Sequence, residues 1–234
     1  MRHFFSLSSQ KPLIVFLDFD NTITDCDVLD AVIERFSINQ DWVKYEEEWK
    51  AGKIGSKECL EAQLRSVRVS QRDLEAYARQ IPIDPHFPKL LQIFREKEIP
   101  CQILSDSFSF MIHTILTQHG IRAVPVYANE LGFKEDRLIP SFPYVSKDCT
   151  RCAHCKKTHM VGHADKARVY VGDGLSDVCP SFEADFVFAK GALMAYLEGK
   201  GEPFTAFRDL GQVVAFFECV EKNPPLDKYV AELR

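Results

Sequence analysis

The stretch "LIVFLDFDNTIT", residues 13–24, constrains this chain more than any other. Residues 13–17 form an apolar run without alternation, which reads as a strand buried on both faces, the kind that parallel sheets contain. That strand ends in two carboxylates, Asp18 and Asp20, separated only by Phe19. Desolvating neighbouring carboxylates is costly unless each finds a partner, so a metal ion or a reacting group is expected beside them.

The character changes between Asp27 and Ile81. "DVLDAVIERF", "DWVKYEEEWKAGK", "SKECLEAQLRSV" and "SQRDLEAYARQI" carry charges with apolar residues at helical spacing. Ser56 and Ser70 are expected N-caps, Asp73 completes a box-like pattern with Ser70, and Gly52 and Gly55 punctuate. Trp42 and Trp49 are expected to pack inward. The proline-rich "IPIDPHFP", residues 81–88, reads as the return from an all-helical insert.

Strands and helices then alternate. Strands are expected at 101–105, 123–128, 168–174 and 186–189, with helices at 86–98, from 108 to Gly120, opening at Lys156, and from Leu210. "GFKEDRLIPSFPY" suggests a hairpin or an irregular excursion, and Phe108 reads as a core residue at a helix start. Such alternation implies a parallel sheet covered on both faces, with ligands bound beyond the carboxyl ends of its strands. Three strands end in polar groups there: Asp18 and Asp20, Ser105, and Asp173.

Composition narrows the partners. With 234 residues, 46% of them hydrophobic, the chain can bury one or two full cores. Its formal charge is −5 and it has no basic block, so nucleic acid is not expected. The apolar run at 13–17 is too short to span a bilayer and makes a poor signal peptide, so no membrane partner is expected. Eight scattered cysteines in a chain of this size point to reduced thiols in the cytoplasm. Nothing in the sequence sets the oligomeric state.

Carboxylates at 18, 20 and 173 suit a hard cation with few protein ligands, Mg²⁺ rather than Ca²⁺. A calcium loop starting at Asp18 would need glycine at its sixth place and glutamate at its twelfth, where Ile23 and Leu29 stand. Phosphoryl transfer needs a nucleophile, a proton donor and positive charge around the phosphate. Asp18 could attack, Asp20 could move the proton, and Ser105 with Lys156 or Lys157 could grip the phosphate. Asp177 could hold the lysine or a metal-bound water.

"DFDNTIT", Ser105, Lys156 and "GDGLSD" (172–177) occur in the order of the four motifs of the haloacid-dehalogenase-like phosphatases, and the chain resembles that family over about residues 13–190. The resemblance implies a Rossmann-like parallel-sheet core, residues 1–24 and 85–234, with a type 1 helical cap, residues 25–84, inserted after the first strand. It also implies that Asp18 becomes an aspartyl phosphate, that Asp20 is the general acid and base, and that Asp18, the main-chain carbonyl of Asp20 and Asp173 hold Mg²⁺. An aspartate at 20 favours phosphatases over the dehalogenases and transport ATPases of the superfamily.

"CQILSDSF" departs from phosphoserine phosphatases, which usually follow the serine with two glycines. "DCTRCAHCKK" and "GDGLSDVCP" are similar to the phosphoethanolamine/phosphocholine and pyridoxal-phosphate phosphatase group and to plant thiamine-monophosphate phosphatases. Asp106 could accordingly pair with an ammonium or pyridinium on a small phosphorylated metabolite, or simply be a turn residue. Asp25 and Asp27 read as helix N-terminal charge, with substrate recognition as the other possibility. The alternatives are a methionine-salvage phosphatase, similar in its cysteine-rich approach to the lysine, and a phosphoserine phosphatase. From other classes come a phosphotransferase, a metal-dependent glycosyltransferase using the D-x-D, and a non-catalytic binding module. Cys149, Cys152 and Cys155, near His154, His159 and His163, suit either structural zinc or a reduced loop that shapes the approach to Lys156. The histidines themselves are expected to be surface or helix residues.

Overall fold

A computed structural model describes residues 11–147 and 149–220. In chain order the elements are β1 (Leu13–Leu17), α1 (Val28–Phe36), α2 (Asp41–Lys50), α3 (Ser56–Leu64), α4 (Gln71–Ala78), α5 (Phe87–Glu96), β2 (Cys101–Phe108), α6 (Ser109–Gln118), β3 (Val126–Lys134) and β4 (Arg137–Ser141). They continue with α7 (Lys156–Val161), β5 (Ala167–Gly172), α8 (Val178–Ser181), β6 (Phe186–Ala189), α9 (Gly191–Lys200), β7 (Thr205–Ala206) and α10 (Leu210–Cys219). The class is α/β, and among the described strands only β4 pairs antiparallel. No described helix is long and apolar enough to cross a membrane.

The chain divides into two compact units. The first comprises the described residues up to Leu17, Pro85–Cys101 and those from His159 onward. Here β1 pairs with β5, β5 with β6 and β6 with β7, all parallel, and every residue of β1 is buried. The unbroken apolar run is thus explained: both faces of β1 are covered. One face carries an aromatic cluster in which Phe188 meets Phe216 at 5.2 Å and Phe94 meets Phe217 edge-on at 4.9 Å, joining α5 to α10. The Lys97 ammonium donates to the carbonyls of Phe217, Glu218 and Val220, neutralising the open C-terminal end of α10. A second cluster of Val187, Ala189, Leu193 and Leu197 seats α9, a helix that the sequence reading omitted.

The second unit comprises Asp18–Asp84 and Gln102–Thr158, so helices α1–α4 pack in the same unit as β3, β4 and most of β2. Asp27 caps α1 by accepting from the Asp30 N–H, and Ser70 caps α4 by accepting from the Asp73 N–H, as the sequence suggested. Ser56 is not a cap. Gly55 takes that position, and the Ser56 hydroxyl accepts from the Trp49 indole N–H at 3.0 Å. Both tryptophans are only half-buried, because α2 lies at the surface with no buried residue. Thr24 bridges Ile83, and the Asp84 N–H donates to the Ile23 carbonyl at 2.7 Å, so the two strands of chain that enter and leave the helical insert are tied side by side.

The expected strand at 123–128 starts later, at Val126, because Pro125 has no N–H to give to a ladder. Its carbonyl still accepts from Ile103. The stretch that follows is the hairpin of β3 and β4. β2 runs on past Ser105 to Phe108, and its register against β3 shifts between Leu104 and Phe108. Phe108 is fully buried, a core residue.

Candidate active site

The turn after β1 is built from its own sequence. The N–H groups of Thr22, Ile23 and Thr24 all donate to the Phe19 carbonyl, and Asn21 takes a left-handed conformation (φ 54°) that asparagine tolerates well. The tight turn leaves Asp18 and Asp20 on either side of the buried Phe19.

Asp18 finds the cationic partner that its burial requires. Lys156 Nζ lies 2.5 Å from Asp18 Oδ1, with side-chain exposures of 1% and 7%. A contact this short and this dry is a charge-assisted hydrogen bond in a low-dielectric setting. Lys157 is exposed, and Lys156 is the lysine that pairs with Asp18.

Asp20 stands in a different electrostatic environment. Its carboxylate accepts from the Val28 N–H at 2.8 Å and from the Ser105 hydroxyl at 3.2 Å. Burial pushes its pKa well above the ordinary carboxylate range, and the neighbouring Asp27 pushes it further. The two hydrogen bonds and Lys156 act the other way and do not prevail. Two carboxylates two residues apart are thereby differentiated, one ion-paired and one holding its proton more tightly than an ordinary carboxyl, a division of labour that suits a nucleophile and an acid. Asp27 thus does more than cap α1, since its charge helps to hold the proton on Asp20.

Ser105 is completely buried at the register shift of β2. Its hydroxyl also accepts from the Ser107 N–H at 3.0 Å. Its carbonyl accepts from His154 Nδ1 at 2.8 Å, which fixes the tautomer because a carbonyl can only accept. His154 is 1% exposed and stacks on Tyr144 at 4.8 Å. The expectation of surface histidines fails at this residue, two positions before Lys156, where it ties the lysine's loop to the serine's strand. No local pattern marks it, because only the tertiary fold brings Tyr144 and Ser105 to it. Asp106 is partly exposed, and its carbonyl accepts from the Asn129 amide at 2.6 Å.

In the first unit, β5 delivers Asp173 into a turn braced by Asp177. The Asp177 carboxylate accepts from the Tyr170 hydroxyl at 2.5 Å and from the N–H groups of Asp173 and Gly174 at 3.0 Å each. Glycine is needed at 172 for space, since a Cβ there would lie 2.5 Å from an Asp177 oxygen. Asp177 therefore acts on Asp173 by fixing its backbone. Asp173 and Asp177 in this unit, and Asp18 in the other, carry carboxylate oxygens, the hard donors that a divalent cation takes. Among the described residues, Cys149, Cys152, Cys155 and the nearby histidines do not gather three ligand atoms, so structural zinc finds no support there.

Comparison with known proteins bears on the family and the fold. Residues 13–195 match the family described as Putative Phosphatase. A 2-hydroxy-3-keto-5-methylthiopentenyl-1-phosphate phosphatase of Brevibacillus brevis is 27% identical, covering 91% of this chain and 98% of its own. A phosphoserine phosphatase solved as a phospho-aspartyl intermediate analogue superposes with a TM-score of 0.69 at 17% identity, covering 89% of this chain and 99% of its own. The phosphoserine phosphatase of T. onnurineus gives a TM-score of 0.68 at 15% identity, covering 92% and 98%. At those identities the structures speak for the fold, which is that of the haloacid-dehalogenase-like enzymes. With the family match spanning most of its length and the ordered motifs at 18–20, 105, 156 and 172–177, the chain belongs to the Putative Phosphatase family and is a phosphoric monoester hydrolase.

Proposed function

We propose that this phosphatase transfers the phosphoryl group of a small metabolite first to Asp18 and then to water. The observation that carries the reading is the buried Lys156–Asp18 pair at 2.5 Å beside an Asp20 that holds its proton more tightly than an ordinary carboxyl. In this reading an Asp18 oxygen attacks phosphorus in line while the Lys156 ammonium and the Ser105 hydroxyl hold the non-bridging oxygens. Asp20 gives its proton to the departing alkoxide and, as a carboxylate, then takes one from the water that hydrolyses the acyl phosphate. The Asp18 carboxylate, the Asp20 carbonyl and Asp173 would hold Mg²⁺, which when bound would supply positive charge to screen the nucleophile from the phosphate. Residues 25–84 serve as the cap that sheds water from the reaction. Eight cysteines scattered through a chain large enough not to need disulfide staples support a reducing, cytoplasmic setting.

For the substrate, relatives such as the Brevibacillus brevis phosphatase support the phosphate ester of a methylthio-substituted keto sugar derivative. Asp106, directly after Ser105 at the irregular end of β2, favours a second reading in which an ammonium or pyridinium group pairs with its carboxylate. A panel separates the two. We expect kcat/KM for 2-hydroxy-3-keto-5-methylthiopentenyl-1-phosphate to exceed that for phosphoethanolamine, phosphocholine, pyridoxal phosphate, thiamine monophosphate and phosphoserine. A cationic ester at the top, with the preference lost in Asp106→Asn, would instead establish the second reading.

A further inference from the structure

The loop that leads into Lys156 carries a feature that phosphoryl transfer does not use. The sulfurs of Cys149 and Cys152 lie 4.0 Å apart in a thiol–thiol contact. The Arg151 N–H above all, then those of Cys152 and the Arg151 charge, favour a thiolate at Cys149 and hold it below the ordinary thiol range despite partial burial. Burial does the opposite elsewhere, pushing Cys59 up to about 12 and Cys101 up to about 11. Both loop cysteines also line a cleft of about 360 Å³ that Lys57 and Lys147 border. One activated and reachable thiol therefore has a second within striking distance, which is the arrangement thiol–disulfide exchange requires.

The loop is mechanically coupled to its surroundings. The Arg151 carbonyl accepts from the Ser56 N–H at 2.8 Å, and a Cβ on Gly55 would lie 2.1 Å from the Thr150 carbonyl oxygen, so the loop is seated directly on the turn before α3. On its other side the Cys155 N–H donates to the Tyr144 carbonyl at 2.9 Å, Tyr144 stacks on His154, and His154 holds Ser105. Lys156 comes next in the chain. Closing a disulfide would draw the sulfurs from 4.0 Å to about 2.05 Å, a displacement that a loop pinned at both ends must pass on.

We infer that Cys149 and Cys152 form a reversible thiol–disulfide site that takes a small-molecule disulfide as co-reactant and, once closed, shifts the loop that carries Lys156. The Cys149 thiolate attacks one sulfur of the incoming disulfide, forming a mixed disulfide and releasing one thiolate. Cys152 then loses its proton to water and attacks the Cys149 sulfur, expelling the second thiolate. Two cysteine thiols are oxidised and one external disulfide is reduced to two thiols. Zinc on the same pair would need further ligands, and no third ligand atom joins the two cysteines among the described residues.

The test treats the whole protein with oxidised glutathione and follows intact mass, peptide map and hydrolysis of p-nitrophenyl phosphate. The expected product has lost two hydrogens, links Cys149 to Cys152, and reverts with dithiothreitol. Cys152→Ser is expected to stop at a glutathione adduct on Cys149. Unreacted thiols, a bridge that uses Cys155, or zinc found bound to these cysteines would overturn the site. The kinetic arm rests on the proposed phosphatase mechanism: oxidation is expected to raise KM several-fold with a smaller change in kcat. An unchanged KM in fully oxidised protein would overturn the link to Lys156. Absence of any Asp18-dependent hydrolysis would count against the mechanism and leave the mass readout intact.

Discussion

Replacing Lys156 by methionine removes a buried cation while roughly keeping its volume. What remains is Asp18, 7% exposed at its side chain and deprived of the ammonium 2.5 Å away. Breaking a buried ion pair from one side costs about 3–5 kcal/mol, because the orphaned charge stays desolvated. For a chain of this size each kcal/mol lowers the melting temperature by about 2–4 °C, so a fall of roughly 6–20 °C is expected. The measurement is thermal unfolding in the presence of a chelator, since a divalent cation would otherwise stand in for the lost lysine. Asp18→Asn combined with Lys156→Met neutralises both partners and is expected to recover most of the loss. Added Mg²⁺ is expected to raise the melting temperature of Lys156→Met more than that of the wild type, through binding linkage. A loss below about 1 kcal/mol, or a double variant no more stable than Lys156→Met alone, would refute the reasoning that Asp18 is a charge dependent on this lysine.

Asp20→Asn should separate stability from activity. The folded protein holds a proton on Asp20 more tightly than the unfolded chain does. It therefore binds more protons than the unfolded chain, and this carboxyl makes stability fall as pH rises from the ordinary carboxylate range through the raised pKa. The variant lacks that contribution, so its melting temperature is expected to exceed the wild type's most clearly near neutrality, with the gap closing in acid; a constant gap would argue against the raised pKa. Turnover of alkyl phosphates, which need a protonated leaving group, is expected to fall further than that of aryl phosphates. Gly172→Ala places a methyl group 2.5 Å from an Asp177 oxygen and should dislodge the brace on Asp173. A higher Mg²⁺ concentration for half-maximal activity is expected, and an unchanged requirement would remove Asp173 from the proposed metal site.

Much of the site was legible because its chemistry is local in sequence. The apolar run ending at Asp18, the glycine-flanked Asp173 and the order of Ser105 and Lys156 each announce a strand end or helix start with a polar purpose. The rest depended on contacts between distant residues. Nothing around His154 in the sequence distinguishes it from the surface histidines, and its role appears only when Tyr144 and Ser105 close on it. Ser56 looked like a cap, yet Trp49 claims its hydroxyl and Gly55 takes the cap position under the Thr150 carbonyl. The start of β3 was misread for a different reason: apolar character extends through Pro125, but hydrogen-bonding capacity does not. The raised pKa of Asp20 likewise needed the fold, since it reflects burial and the approach of Asp27 more than the residue type.

The central claim is that Asp18 is the phosphoryl acceptor of a Mg²⁺-dependent phosphatase. The most direct test compares phosphate release from p-nitrophenyl phosphate by the wild type and by Asp18→Asn, each with Mg²⁺ and with a chelator. Release is expected only from the wild type with Mg²⁺, and Asp18→Asn is expected to stay folded by thermal unfolding. Wild-type turnover from a folded Asp18→Asn protein would contradict the assignment.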